Sequence, residues 1–144
     1  MLQRPGARIR VPLGSFGDAR SPLAPPTEVT LLDITLEAGA ELVLPVPASQ
    51  RAFFMPIFDR AELDGESFGL DDLNAPILLP ATEVTTHKLV GQIGGAKVAM
   101  FIGEPLRQPV ISNGPMAFAS QESLTAAIAA YQRGDILDGC RSHV

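Results

Sequence analysis

Few side chains in this sequence are of a type and spacing that could do chemistry. His87 and His143 are its two histidines, and His143 lies close to the last residue. Thr85 stands two positions before His87, so on a strand the two share a face. The Thr85 hydroxyl is neutral and a poor iron or zinc ligand, and one His without a second His or carboxylate in register is a weak metal signal. Glu62, Asp64 and Glu66 are also two apart and could share a strand face; three carboxylates attract cations, but such a set is more often a solvated face near a turn. Ser15, Ser49 and Ser112 have no neighbouring base. A Ser-His-acid or Cys-His site would therefore have to use His87, and nothing in the sequence supports one. Gly94-Gly95 is not a phosphate cradle, because no helix start with Lys-Ser or Lys-Thr follows it.

The elements that must position these groups read as short strands. Ala7 to Val11 alternates Arg8 and Arg10 against Ala7, Ile9 and Val11, the period of a strand with one wet face. Gly14 to Pro26 is a turn-rich connector, and Val29 to Leu36 is the next strand. Glu41 to Leu44 begins another, which Pro45 and Pro47 end or confine to a sheet edge. Ala52 to Phe58 is the most apolar run, with Asp59-Arg60 offering a turn into Ala61 to Leu63 and Asp64-Gly65 closing that piece. Ser67 to Ala75 reads as an acidic loop, and Ile77 to Leu79 as a short strand stopped by Pro80. Lys88 to Ile93 and Lys97 to Ile102 flank Gly94-Gly95, the two-residue signature of a tight hairpin. After Gly103 the prolines at 105, 109 and 115 exclude a helix interior. Ser120 then N-caps a helix of about thirteen residues, with Glu122 in its first turn, Leu124, Ile128 and Tyr131 on one stripe, and Gly134 as its stop.

Composition bounds the rest. A chain of 144 residues, 46% of them hydrophobic, is long enough for one domain with a buried core. A formal charge of −5 argues against non-specific nucleic-acid binding, although Arg4, Arg8, Arg10 and Arg20 form a basic arm near the start. No apolar run approaches the ~20 residues of a membrane span, and no secretion leader opens the chain. Cys140 is the only cysteine, so no internal disulfide can form and a reducing cytoplasm fits.

Gly39 to Asp59, GAELVLPVPASQRAFFMPIFD, resembles the first signature box of a cupin β-barrel with its chemistry removed. Metal-binding cupins have a Gly, five residues and His-x-His, then a Glu and a turn Gly. Here Pro45 and Pro47 stand at the two His positions, Arg51 or Ala52 at the Glu and Asp59 at the turn Gly. In the second box, Pro80-Ala81-Thr82 keeps only the proline, and Thr85 falls where the His would be. The tail narrows the resemblance to the pirin family, whose members are two-domain cupins. It runs Gly103-Glu104-Pro105-Leu106, Gly114-Pro115, Ser120-Gln121-Glu122-Ser123-Leu124 and Tyr131-Gln132-Arg133-Gly134, and Thr30-Leu31-Leu32-Asp33-Ile34 resembles a pirin strand. The likeness covers nearly the whole chain but only the C-terminal half of a pirin, the half that is usually metal-free; the other half carries the iron ligands.

This resemblance implies an all-β fold: a single cupin, that is a double-stranded β-helix or jelly-roll-like barrel, with one C-terminal α-helix. One domain over 1–144 is expected, with an N-terminal strand and connector at 1–26, the barrel at 27–102, and an irregular segment plus helix at 103–144. The function it implies is that of a non-catalytic, metal-free, cytoplasmic module with no cofactor, acting through protein interaction or small-ligand binding. A residual pocket would use Arg51, Thr85 and His87, with Arg51 pointing inward to meet a small anionic ligand. The expected partner is a second copy in a homodimer, or a separate N-terminal cupin, with Ala7–Val11 and the helix stripe as candidate contacts; neither nucleic acid nor membrane is expected. The alternatives are a cupin dioxygenase or isomerase with an atypical site, and a regulatory subunit or transcription cofactor.

Overall fold

The computed structural model describes residues 1–135. Cys140 and His143 lie outside them. The chain forms two compact units, the first Met1–Pro105 and the second beginning at Leu106.

In the first unit the strands are β1 (Leu2–Arg4), β2 (Ala7–Leu13), β3 (Ser15–Phe16), β4 (Ala19–Arg20), β5 (Val29–Leu36), β6 (Glu41–Val46), β7 (Arg51–Leu63), β8 (Glu66–Gly69), β9 (Ile77–Leu78) and β10 (Thr85–Gly103). β3 and β4 make a small hairpin, and the others form one sheet whose pairing path is β1-β2-β5-β10-β7-β8, with β6 also on β10 and β9 also on β7. The path does not close on itself among the described residues. It nevertheless wraps one core: Ile9 on β2 and Phe68 on β8, near its two ends, belong to the same buried cluster as Leu32, Leu44, Phe54 and Met100. Phe54 and Phe68 meet edge-on, with ring centroids 6.4 Å apart, a favourable aromatic geometry.

β10 is the strand on which the others depend. Its first half, Thr85–Val90, pairs with β6, its second half, Ala96–Gly103, pairs with β5, and β7 runs along both. The hairpin expected at Gly94-Gly95 is not there. The two flanking runs have other partners and never pair with each other, so the glycines form a bulge within one strand. Both are left-handed, at φ 98° and 89°, and a Cβ on Gly95 would sit 2.6 Å from the Leu36 carbonyl oxygen. The turn expected at Asp59-Arg60 is likewise an irregularity in the continuous β7, directly across from this bulge: register is lost between the pairs Gly91–Ala61 and Ala96–Asp59. Asp59, at φ 53°, adopts the conformation of the turn Gly it replaces, which a short polar side chain tolerates. The facing irregularities let both strands bend and wrap the core.

β6 runs through Pro45 to Val46 and pairs only with β10, the edge placement a proline requires. β1 covers Ala7, Arg8 and Ile9 of the Ala7–Val11 strand, so that part has no free edge for pairing with a second chain.

In the second unit β11 (Ile111–Asn113) and β12 (Met116–Phe118) form a hairpin around Gly114-Pro115, where an irregular segment was expected. Helix α1 spans Gln121–Arg133. Ser120 caps it by accepting the Ser123 N–H at 3.1 Å, and Gly134, at φ 79°, returns its N–H to the Ala130 and Tyr131 carbonyls. Of the expected stripe, Leu124 is buried, whereas Tyr131 is 70% exposed.

Candidate functional site

Strand alternation decides which residues of the cupin boxes face inward. Along β6 the buried residues are Leu42, Leu44 and Val46, while Val43 and Pro45 are exposed. The inward pair is therefore Leu44 and Val46, one position before Pro45 and Pro47, and a one-residue shift moves every side chain to the other face. The same holds on β7, where Ala52 and Phe54 are buried and Arg51 is exposed. Arg51 does not point inward: it starts β7 opposite Gly103, at the far end of that strand from Asp64. An anionic ligand would meet it only at the surface.

Thr85 and His87 do come together on the inward face. Opposed residues of an antiparallel pair lie on one side of the sheet, and Val46 opposes Thr85 while Leu44 opposes His87. The His87 Nε2 lies 2.9 Å from the Thr85 hydroxyl. Its Nδ1 lies 2.7 Å from Asp64 Oδ2, and the His87 side chain is 16% exposed. A carboxylate can only accept, so Nδ1 donates to Asp64 and, in the neutral ring, Nε2 accepts the Thr85 hydroxyl proton. Asp64 is itself held: Oδ1 accepts the Lys88 N–H at 2.8 Å, and its own N–H donates to the Lys88 carbonyl. Burial is the largest single influence on the Asp64 carboxyl and pushes its pKa up. The His87 hydrogen bond, the Lys88 N–H and the charges of both residues together outweigh it and hold the group below its ordinary value.

Asp64 is the residue that sequence reasoning did not connect to His87. The carboxylates at 62, 64 and 66 do not share a face: Glu62 is on β7, Asp64 in the turn and Glu66 on β8. The available signal was Asp64-Gly65 as a turn. A turn at the end of β7 carries its side chain to whatever strand lies alongside, and that strand is β10.

A catalytic metal of the kind cupins hold does not fit these residues. The inward positions carry Leu44, Val46 and Ala52, Thr85 is a neutral hydroxyl, and His87 has both nitrogens committed. No group of three His, Cys, Asp or Glu side chains among the described residues could hold an ion. A separate open cavity of about 660 Å³ lies at the paired irregularities, lined by Ala38, Asp59, Arg60, Val90, Gln92 and Ile93 among others. Arg60 there is already engaged by Asp71 and by Asp72.

Comparison with known proteins fits this geometry. The model of the pirin C-terminal cupin domain matches residues 31–136. A Pseudomonas aeruginosa protein provisionally named quercetin 2,3-dioxygenase is 23% identical over 139 residues, covering 90% of this chain and 46% of its own. Pirin-like protein 2 of Arabidopsis thaliana is 27% identical over 138 residues, covering 90% and 41%. The crystal structure of quercetin 2,3-dioxygenase from Acinetobacter baumannii superposes with a TM-score of 0.76 at 19% identity, over 93% of this chain and 45% of that one. The chain thus has the cupin fold and spans just under half the length of these relatives. It belongs to the pirin family, as a C-terminal cupin domain.

Proposed function

We propose that this chain is a metal-independent cupin module, not an oxygenase, that works in the cytoplasm through its outward sheet face. One observation carries the reading. On the side of the sheet away from the core, Leu13, Leu31, Phe101, Phe53 and Ile77 lie in register across β2, β5, β10, β7 and β9. The Phe53 and Phe101 rings are 5.9 Å apart; Leu13, Leu31, Phe53 and Phe101 are half-buried, and Ile77 at the end of the row is 56% exposed. An apolar row of this extent, crossing five strands, suits an interaction surface. A face that is apolar from end to end is self-complementary, so a second copy can lay the same face against it. The occupant is therefore a two-fold related copy, whose own row meets this one.

Light scattering at micromolar concentration tests this. The expected mass is twice the 15.2 kDa of the chain, and Phe53→Glu returns it to the monomer. A monomer that associates only with a separately expressed cupin domain would instead assign the face to a different chain. Metal independence has its own test: elemental analysis should find no stoichiometric iron, zinc, copper or manganese, and quercetin should not be consumed above a heat-killed control.

A further inference from the structure

Asp64, His87 and Thr85 form a carboxylate–imidazole–hydroxyl chain in the order a nucleophilic hydroxyl needs. The links are 2.7 Å and 2.9 Å. Two elements supply it, the β7–β8 turn and β10, and the turn is pinned to β10 through Lys88. A histidine that merely filled space would not need its acceptor nitrogen aimed at a hydroxyl while a carboxylate fixes the other. From this geometry we infer that Thr85 is an activated hydroxyl that accepts acyl groups from small neutral esters, a metal-independent activity separate from association through the outer face.

The step balances without a cofactor. Thr85 Oγ1 attacks the ester carbonyl carbon while its proton passes to His87 Nε2. Asp64 holds the resulting imidazolium through Nδ1–H. The C–O bond to the leaving alcohol breaks, the alcohol takes the proton from Nε2, and the acyl group stays on Thr85. Water attacking the acyl-threonine by the same proton route restores the hydroxyl and releases the acid. Asp64 is a positioning residue in this scheme, and Thr85 and His87 are the reacting pair. The Asp64 carboxylate beside His87 disfavours phosphate or other anionic substrates.

Thr86 is an internal control, since it is the next residue on β10, faces outward and is exposed. The whole chain is treated with p-nitrophenyl acetate and acetylation is read by peptide mass mapping. The expected result is labelling of Thr85 roughly a hundredfold faster than Thr86, the size of effect a positioned general base gives. His87→Gln should bring Thr85 down to the rate of Thr86. Thr85→Ser, which keeps the hydroxyl and loses only a methyl, should label at least as fast as the parent and remain dependent on His87. Asp64→Asn keeps an oxygen for Nδ1 but not the charge, and should slow Thr85 roughly tenfold with Thr86 unchanged. Equal labelling of the two threonines, or Thr85 labelling that His87→Gln leaves intact, overturns the proposal. If His87→Gln does not fold, the Thr85-to-Thr86 ratio in the parent and in Thr85→Ser decides alone. Because association is read by mass and acylation by label, either reading can fail without the other.

Discussion

At the scale of single residues, the site is governed by which face a side chain takes. Leu44, Val46, Thr85 and His87 face inward; Pro45 and Arg51 are exposed. Ligands of the kind metal-binding cupins hold should therefore be introduced successfully only at the inward positions. Leu44→His with Val46→His and Thr85→His should take up close to one zinc or iron per chain, whereas Pro45→His with Pro47→His and Thr85→His should take up far less; elemental analysis after metal loading separates the two. Asp64 makes a second expectation. Its folded-state pKa is depressed below the ordinary 3.8, so folding disfavours its protonation. Its contribution to stability is present above the unfolded value and is lost as pH falls through the folded one. Urea midpoints at about pH 5 and about pH 3 should therefore fall more for the parent than for Asp64→Asn. The effect should be modest, because Asp64 is 46% exposed and solvent screens it.

At the scale of elements, the bulge in β10 is the device that lets one strand serve two sets of partners. Gly95 combines a left-handed φ of 89° with a carbonyl oxygen 2.6 Å from where its Cβ would be. Gly65, at φ 94° in the β7–β8 turn, has open space around that point. Gly95→Ala should thus destabilise the fold by about 3 kcal/mol, and Gly65→Ala by only about 1 kcal/mol, both read from denaturant unfolding. The contrast isolates crowding, since backbone conformation alone costs about the same at both positions.

At the scale of the whole molecule, the association we propose rests on the face formed by β2, β5, β10, β7 and β9. A stable two-fold interface needs to bury at least about 1,000 Å². Phe101→Glu should weaken association as Phe53→Glu does, because the two rings lie 5.9 Å apart. Glu66→Lys, on β8 outside those five strands, should leave the mass unchanged. Light scattering on the three variants at one concentration checks the ordering.

Local chemistry made the helix legible in the sequence. Ser120 and Gly134 bound α1 through contacts within a few residues of themselves, so no tertiary information was needed. The tail motifs and the spacing after Gly39 were enough for the family and the cupin fold, because both are patterns in the chain itself. Pairing was different. Gly94-Gly95 has the sequence of a hairpin turn, and only the assignment of β6 to one half of β10 and β5 to the other makes it a bulge. Alternation in Glu41–Val46 was visible, but its phase relative to the core was not; a shift of one residue exchanges Leu44 for Pro45, and burial settles it. Asp64 meets His87 across 23 residues of chain. A contact of that separation depends on which strand lies beside the turn, and this is decided only when the sheet has wrapped its core.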